Sequence, residues 1–272
     1  MIHPMSLASL PMYDLPELRE TTDAWWAGLA AVFRAEGLAE APDRLTRSDD
    51  LGAVWRSPDL LFSQTCGYPM VTLLADVVQP VATPAYAAEG CVGASYSSVI
   101  IVRADDPVAD AEGLRGRRAA VNAPYSQSGY NVLRHLVAPL AGGRPFFAEV
   151  VETGGHHNSM AAVASGQADV AAVDCVTFAL TARYRPEATA GLRVLLHSDQ
   201  APGLPYVAPA TATPDQIRRL RVGLQQACAD PALAEVRAAL LLTGVEVLPR
   251  TAYDRIAAME AEAKALNYPS VR

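Results

Sequence analysis

The sequence predicts an α/β fold, and three observations support this class. The chain has 272 residues, 51% of them hydrophobic, so it is long enough to bury a large core. Short apolar runs rich in β-branched residues, of which residues 97–102 are the clearest, have the length and composition of buried strands. Between them lie segments whose apolar residues recur at helical spacing. Strands that alternate with helices usually build mostly parallel sheets with flanking helices, which is the fold that we predict.

Residues 1–121 contain the first strands and helices. A strand is predicted at residues 6–10, and the helix after it carries Trp25, Trp26 and Phe33 and ends at Gly37. The further segments predicted in this part are a short strand beginning at Leu45, a helix at 51–56, a strand at 60–62, a helix at 71–75, and strands at 77–83, 97–102 and 118–121.

Residues 122–140, NAPYSQSGYNVLRHLVAPL, predict a strand exit, a loop and a helix in direct succession. Leu133, Leu136, Val137 and Leu140 form one apolar helix face, and Gly142 is a natural stop. Beyond this stretch we predict strands at 146–151, 170–173, 192–196 and 205–207, and helices at 156–165, 175–182, 214–229, 231–242 and 251–266.

The charge balance and the hydropathy pattern exclude several classes of function. The net charge is −7 and the pI about 5.2, whereas binding to a phosphate backbone needs a basic surface, so no nucleic-acid partner is expected. No apolar run approaches the length of a membrane span, so no direct membrane insertion is expected. The N-terminal segment lacks the basic and apolar regions of a signal peptide. As given, the chain is therefore expected to be cytoplasmic, unless a leader has been removed.

The four cysteines, Cys66, Cys91, Cys175 and Cys228, show no CxxC spacing, and no metal-binding pattern is found. Neither a metal site nor a cofactor is therefore predicted. Buried free thiols are the default interpretation. A disulfide between Cys66 and Cys91 is the alternative, because both lie in glycine-flanked loops, and closing such a loop would stabilise the fold by about 3 kcal/mol.

The candidate ligand site is predicted where strands end. In open α/β sheets, ligands bind outside the carboxyl ends of the strands. Small or polar residues follow four predicted strands, at 63–68, 122–129, 153–159 and at Asp174. The second of these segments, the Ser loop (residues 122–129), runs into a helix N-terminus, whose free N–H groups and positive dipole attract anions. Ser126 and Ser128 add hydroxyl donors, and Gly129 allows close approach of a ligand to the backbone. A plain helix cap is the alternative role of either serine.

Four further side chains are candidates for ligand binding. His156 can donate a hydrogen bond to an oxyanion, whereas the neighbouring His157 is interpreted as a capping or exposed residue. Asp174 either accepts hydrogen bonds from the ligand or caps the helix that begins at the next residue. Tyr68 and Tyr96 either line the pocket or pack in the core.

The order of these motifs is similar to that of a known family. SQTCGYP, YSSVIIVR, NAPYSQSG and TGGHHNSMAAVASGQADVAAVD follow one another as they do in the phosphate, phosphite and phosphonate substrate-binding proteins of ABC transporters. The resemblance extends over nearly the whole chain and is most specific in the middle third. It implies a two-lobed type II periplasmic-binding-protein fold with two crossovers. Residues 1–99 and 203–272 would form lobe I, and residues 100–202 would form lobe II.

The resemblance also implies how a ligand is held. The Ser loop would bind a phosphonate-like head group, Asp174 would face the other end of the ligand, and the tyrosines and the histidine would add donors. The implied ligand-binding residues are Ser126, Gln127, Ser128, Gly129, Tyr68, Tyr96, His156 and Asp174. This chain departs from the aminophosphonate binders of the family at Gly203 and Leu204, where those proteins usually carry an acidic side chain.

The expected function is the non-catalytic binding of a small oxyanion, phosphate-like or phosphonate-like, in an interlobe cleft. The protein would act as the substrate-binding component of an ABC transporter, located in the periplasm by resemblance and recognised by an ABC permease if it is exported. Two alternatives remain open at this stage. One is an enzyme with Cys66 as nucleophile and His156 as base, and the other is a cytosolic sensor that reports the ligand to a protein partner.

Overall fold

The structure is a computed structural model, and it describes residues 6–272. Residues 1–5, part of the N-terminal segment on which the signal-peptide expectation depends, lie outside the described residues. The chain divides into two compact units. The first contains the described residues up to Ala87 together with Pro202–Ala252, and the second contains Ala88–Ala201 and Tyr253–Arg272. The lobe boundaries implied by the family resemblance stay a prediction.

Strands and helices alternate through most of the described chain. The strands are β1 (Leu7–Ser9), β2 (Leu60–Gln64), β3 (Val78–Tyr86), β4 (Cys91–Val92), β5 (Ser95–Tyr96), β6 (Ser98–Arg103), β7 (Arg118–Val121), β8 (Glu149–Glu152), β9 (Val170–Asp174), β10 (Leu192–His197), β11 (Ala201–Pro202), β12 (Tyr206–Pro209) and β13 (Leu242–Glu246). The α-helices are α1 (Arg19–Ala35), α2 (Leu51–Trp55), α3 (Gly67–Val71), α4 (Val132–Ala141), α5 (His156–Ala164), α6 (Cys175–Tyr184), α7 (Pro214–Ala229), α8 (Ala234–Ala239) and α9 (Asp254–Ala265). A π-helical turn, Gln127–Asn131, precedes α4.

The first unit is built on a five-stranded sheet of order β1-β2-β12-β3-β13. An aromatic cluster of Trp26, Phe33, Phe62 and Tyr206 joins helix α1 to this sheet, with Trp26 and Phe62 stacked at a centroid distance of 6.1 Å. Each of these large side chains removes apolar area from water, worth about 25 cal/mol per Å². The tryptophans of α1 are therefore core residues, and the sheet is fixed against the helix by their packing.

The second unit is built on a five-stranded sheet of order β10-β6-β9-β7-β8. Strand β7 runs parallel to both β8 and β9, so their carboxyl ends lie at the same edge of the sheet. All five residues of the central strand β9 are buried. Helix α9 packs on α4, which brings the last residues of the chain into this unit. A third, small sheet has the order β11-β5-β4.

The predicted α/β class and the two-lobed fold are confirmed, but the sheets are mixed and not mostly parallel. Strands β6 and β10 run antiparallel to their neighbours in one sheet, as β12 and β13 do in the other. The parallel rule holds for β7, β8 and β9, which are linked by helical crossovers. It fails at β6, β3 and β12, each of which runs antiparallel to both of its neighbours.

Four predicted elements differ from the observed ones. The strand predicted at 146–151 begins at Glu149. No strand forms at Leu45. The helix predicted at 71–75 lies earlier, at Gly67–Val71, because a proline is accepted in the first turn of a helix. The helix predicted at 231–242 ends at Ala239, since Leu241 adopts a positive φ of 56° and the chain continues as strand β13. Among the described residues, no helix has the length and apolarity needed to cross a membrane.

Candidate functional site

The Ser loop connects the end of β7 to the π-helical turn. The Ser126 hydroxyl accepts a hydrogen bond from the N–H of Gly129 at 3.1 Å, and the Ser126 carbonyl accepts the first helical bond, from Asn131, at 3.0 Å. Ser126 therefore caps the helix, as its alternative interpretation proposed. The backbone N–H groups of Gln127 and Ser128 precede this first helical bond, so they stand at the positive end of the helix dipole.

Ser128 and His156 meet at the edge of the sheet of the second unit. The Ser128 Oγ and the His156 Nε2 are 2.9 Å apart, and they share one hydrogen bond whose direction depends on the histidine tautomer. His156 is the first residue of α5. The pair therefore joins the N-terminal end of one helix to that of a second, and both of these positive dipole ends favour negative charge.

The environment of His156 keeps its imidazole neutral. Desolvation by the surrounding protein, assisted by the charge of the neighbouring His157, lowers the pKa of His156 from 6.5 to about 4. Its Nδ1 is buried, and no hydrogen bond to it meets the usual distance and angle criteria among the described residues. At neutral pH the ring therefore offers one donor nitrogen and one acceptor nitrogen, and it contributes no positive charge to the site.

The turn before α5 is fixed by hydroxyl groups. The Thr153 Oγ1 donates to the carbonyl of Val121 at the end of β7, at 3.1 Å, and lies 2.7 Å from the Ser159 Oγ. These bonds tie the exit of β8 to the exit of β7, and so they hold His156 beside the Ser loop. Strand-exit composition pointed to residues 153–159 as a whole, but it could not show that Thr153 has this positioning role.

Gly129 is required for a reason other than ligand approach. A Cβ built at Gly129 would lie 2.0 Å from the Oδ1 of Asn122. That oxygen accepts the N–H of Ala123 at 2.9 Å, which turns the chain at the end of β7. Asn122 is thus a structural residue of the site, with the turn role that an asparagine directly after a strand predicts.

The side chain of Gln127 points into a buried polar network. Its amide nitrogen is 3.1 Å from the Met259 Sδ, and its amide oxygen accepts from the Asn131 Nδ2 at 2.7 Å. Asn131 also donates to the carbonyl of Ile256 at 3.0 Å and accepts from Arg134. Gln127 is completely buried. Its side chain is therefore occupied by the protein, which leaves its backbone N–H as the group that it offers to a ligand.

Asp174 caps helix α6. One carboxylate oxygen, Oδ1, accepts from the N–H groups of Val176 and Thr177 at 2.8 and 3.0 Å. The residue is buried at the carboxyl end of β9. The capping role that competed with ligand binding is thus present in the structure, and it holds the carboxylate at the same sheet edge as the Ser loop.

The remaining candidates lie in both units. Tyr96 is buried on β5 of the second unit, whereas Tyr68 is half-buried on α3 of the first unit. Cys66 directly precedes α3, and all four cysteines are free thiols, so the disulfide considered between Cys66 and Cys91 is absent. The described residues contain no cluster of three or more His, Cys, Asp or Glu side chains that could hold a metal ion.

Comparison with known proteins decides the class of protein. The sequence model of a family described as the ABC transporter phosphonate periplasmic substrate-binding protein matches residues 57–253. The chain belongs to this family. Its members are non-catalytic periplasmic proteins that bind a small molecule for transport, so the predicted family and the predicted absence of catalysis are confirmed. The family also implies a small-molecule ligand and a permease partner.

Solved structures show the same fold. A binding-protein component of an ABC phosphonate transporter from Pseudomonas aeruginosa has a TM-score of 0.73 at 17% identity, covering 97% of this chain and 88% of its own. PhnD1 from Prochlorococcus marinus, in complex with methylphosphonate, has a TM-score of 0.74 at 14% identity, covering 96% and 99%. A Xanthomonas citri protein bound to ATP has a TM-score of 0.70 at 18% identity, covering 97% and 98%. No curated protein sequence matches the chain.

Membership in the family removes one alternative function. The enzyme hypothesis needed Cys66 as a nucleophile, and the family acts by binding alone. A transport role as substrate-binding component is therefore the function of this chain.

Proposed function

We propose that this protein binds a phosphorus oxyanion, of the phosphonate or phosphate kind, and that the Ser loop holds the anionic head. The observation that carries this proposal is the 2.9 Å contact between Ser128 and His156 at the N-terminal ends of two helices. The N–H groups of Gln127 and Ser128, the hydroxyl of Ser128 and the imidazole of His156 would surround the head group. Gly129 contributes because it has no Cβ, which leaves room for the Asn122 side chain against the loop.

The binding energy would come from neutral donors. Hydrogen bonds to a charged group contribute about 1.5 to 3 kcal/mol each, so three or four of them suffice for micromolar affinity, roughly 8 kcal/mol. The net charge of −7 opposes the approach of an anion, which makes local capture by helix N-termini necessary. The methylphosphonate found in PhnD1, a protein of the same fold, supports this ligand class.

The neutral His156 would favour phosphorus oxyanions over sulfate. A phosphate-like group has a second pKa of about 6, so part of the ligand still carries a proton near neutral pH. An unprotonated imidazole nitrogen can accept this proton in a hydrogen bond. Sulfate carries no such proton and would not gain this hydrogen bond.

The other ligand-binding assignments belong to the same proposal. Tyr96 and Asp174 of the second unit would define the organic end of the ligand, with Asp174 acting while it caps α6. Tyr68 stays a predicted ligand-binding residue. Gly203 and Leu204 bring no acidic side chain to the segment where aminophosphonate binders carry one. A cationic amine on the ligand would therefore gain less binding free energy here. We expect phosphate, phosphite or a phosphonate with a small uncharged alkyl group as the ligand.

The proposed location and partner follow from the family. Family members are periplasmic, so we propose that the mature protein works outside the cytoplasm and delivers its ligand to an ABC permease. A sensor that reports the same ligand to another protein would have the same ligand site. The two roles differ in the partner that recognises the ligand-bound form.

A thermal-shift screen tests the ligand class. Purified protein is heated with phosphate, phosphite, methylphosphonate, 2-aminoethylphosphonate or sulfate. A ligand that binds only the folded state adds about 2.7 kcal/mol of stability at 100 times its dissociation constant. We expect a clear rise in melting temperature with at least one phosphorus oxyanion and none with sulfate. An equal response to sulfate would contradict the proton-accepting role of His156, and silence with all of the phosphorus compounds would contradict the ligand class.

A further inference from the structure

Two cysteines of the second unit lie side by side. The Sγ atoms of Cys91 and Cys175 are 3.5 Å apart, which is thiol contact distance and about 1.5 Å longer than a disulfide bond. Cys91 is half-buried on the short strand β4, whereas Cys175 is buried as the first residue of α6. The other two cysteines, Cys66 and Cys228, lie in the first unit.

The backbone holds the two thiols together. Cys91 is paired with Tyr96 across the β4–β5 hairpin. The N–H of Cys175 donates to the carbonyl of Ser97, the next residue along the chain, at 3.3 Å. One dipeptide, Tyr96–Ser97, therefore anchors both cysteines and keeps their thiols in contact.

We propose that Cys91 and Cys175 form a disulfide bond when the protein is in an oxidising compartment. This inference does not depend on the identity of the ligand. It agrees with the periplasmic location of the family, since disulfides persist in the periplasm and are rare in the cytosol.

Cys91 is the thiol that reacts first. It is the more accessible of the pair, and its hydrogen bond with Cys175 lowers its pKa. The same hydrogen bond and burial raise the pKa of Cys175, so the remaining proton stays on Cys175 when Cys91 ionises. Low pKa and access are the properties that make a thiol reactive in disulfide exchange.

A small external disulfide, such as oxidised glutathione, is the oxidant. The Cys91 thiolate attacks one sulfur of this disulfide, which forms a mixed disulfide and releases one glutathione thiolate. Cys175 then gives up its proton, and its sulfur attacks the Cys91 sulfur and releases the second glutathione. Two protein thiols are oxidised and one glutathione disulfide is reduced to two thiols, so atoms and electrons balance.

The disulfide would restrict the motion of the chain next to two proposed ligand-binding residues, Tyr96 and Asp174. It would enclose residues 92–174 in a covalent loop, which constrains the unfolded chain more strongly than a short loop does. It would also tie the hairpin that carries Tyr96 to the β9–α6 junction that carries Asp174. The oxidised protein is therefore expected to be the more stable form.

The test uses the full chain equilibrated at about pH 8 with reduced and oxidised glutathione at an oxidising ratio. Non-reducing peptide mapping by mass spectrometry should find one linked pair, Cys91 with Cys175. Alkylation of the denatured protein should find two free thiols, at Cys66 and Cys228. The melting temperature should rise by roughly 10 °C over that of the fully reduced protein.

Two variants control this experiment. Cys91→Ser replaces a half-buried residue on a two-residue strand, so it should fold, lose the linked peptide and lose the difference in melting temperature between redox states. Cys66→Ser should keep the linked peptide and the difference in melting temperature between redox states. Four alkylatable thiols in the equilibrated wild-type protein, or a link that includes Cys66 or Cys228, would overturn the proposal.

Discussion

At the scale of single residues, His156 determines what the site can do. Its neutral imidazole pairs with Ser128 and adds no charge, so in the proposed site the affinity for an anion would depend on hydrogen-bond donors and helix dipoles. Burial of a histidine without a charged partner also destabilises the protein in acid. The folded state resists protonation of the ring, whereas the unfolded chain does not.

The first prediction concerns the pH dependence of stability. Because the pKa of His156 is about 4 in the folded state and 6.5 for an exposed ring, the unfolded state binds the proton first as the pH falls. The free energy of unfolding should therefore decrease by about 2 kcal/mol from pH 7 to pH 5 through this group, and the loss should level off below its folded pKa. Urea unfolding at pH 7, 6 and 5 measures it.

The matched variant for this measurement is His156→Gln. Glutamine does not titrate, so the variant should lose about 2 kcal/mol less than the wild type over the same pH range. The acidic groups whose pKa is lowered, Asp106, Asp169, Asp215 and Glu262, lose their stabilising contribution at lower pH and do not obscure this interval. Identical pH dependence in the two proteins would contradict the desolvated, neutral histidine.

Residue types and their order along the chain predicted only in part that Ser128 and His156 would be in contact. Both follow strands that end at one sheet edge, which could be inferred from the pattern of strand exits. The direction of the Gln127 side chain could not be inferred, because its partners include Met259, which is distant in sequence. The requirement for Gly129 likewise depends on where the Asn122 side chain lies in space.

At the scale of secondary-structure elements, α9 supports the Ser loop. Asn131 connects the two by donating to Gln127 on one side and to the carbonyl of Ile256 on the other. Arg134 extends the connection to the carbonyl of Pro269 at 2.8 Å. A buried network of this kind stabilises a single geometry only when all of its members are paired.

The second prediction is that Asn131→Ala destabilises the protein by about 2 to 4 kcal/mol, since it leaves Gln127 and Arg134 with unpaired buried groups. Urea unfolding at pH 7 gives the value. The control is Gln226→Ala, which removes an exposed amide on α7 bonded to Glu36 and should change stability by less than about 0.5 kcal/mol. Equal effects of the two substitutions would mean that the network contributes no more than a surface contact.

Elements with strong local signals were predicted well, and those that depend on distant partners were not. Strand β7 and helix α7 have the predicted limits, because turn residues end the strand and Thr213 with Gln216 forms a capping box at the helix start. Strand β13 was missed, since it exists through pairing with β3 far away in the chain. The mixed orientation of the strands in the two sheets also depends on pairing between strands that are far apart in the chain.

At the scale of the whole molecule, the chain is a substrate-binding protein of the ABC transporter phosphonate family. The order of motifs along the sequence was sufficient to recognise this family. Sequence alone did not show that the last residues, Tyr253–Arg272, belong with the second unit, since this depends on the packing of α9 on α4.

The most direct test of the proposed binding function is isothermal titration calorimetry of methylphosphonate and phosphate into the wild type, Ser128→Ala and Ser165→Ala. Ser165 is an exposed serine whose hydroxyl donates to the carbonyl of Ala162, so it serves as the matched control. We expect wild type and Ser165→Ala to bind with the same affinity. Ser128→Ala should bind more weakly by about 1 to 3 kcal/mol, a factor of roughly 5 to 150. An unchanged dissociation constant in Ser128→Ala would show that the Ser loop does not hold the anion.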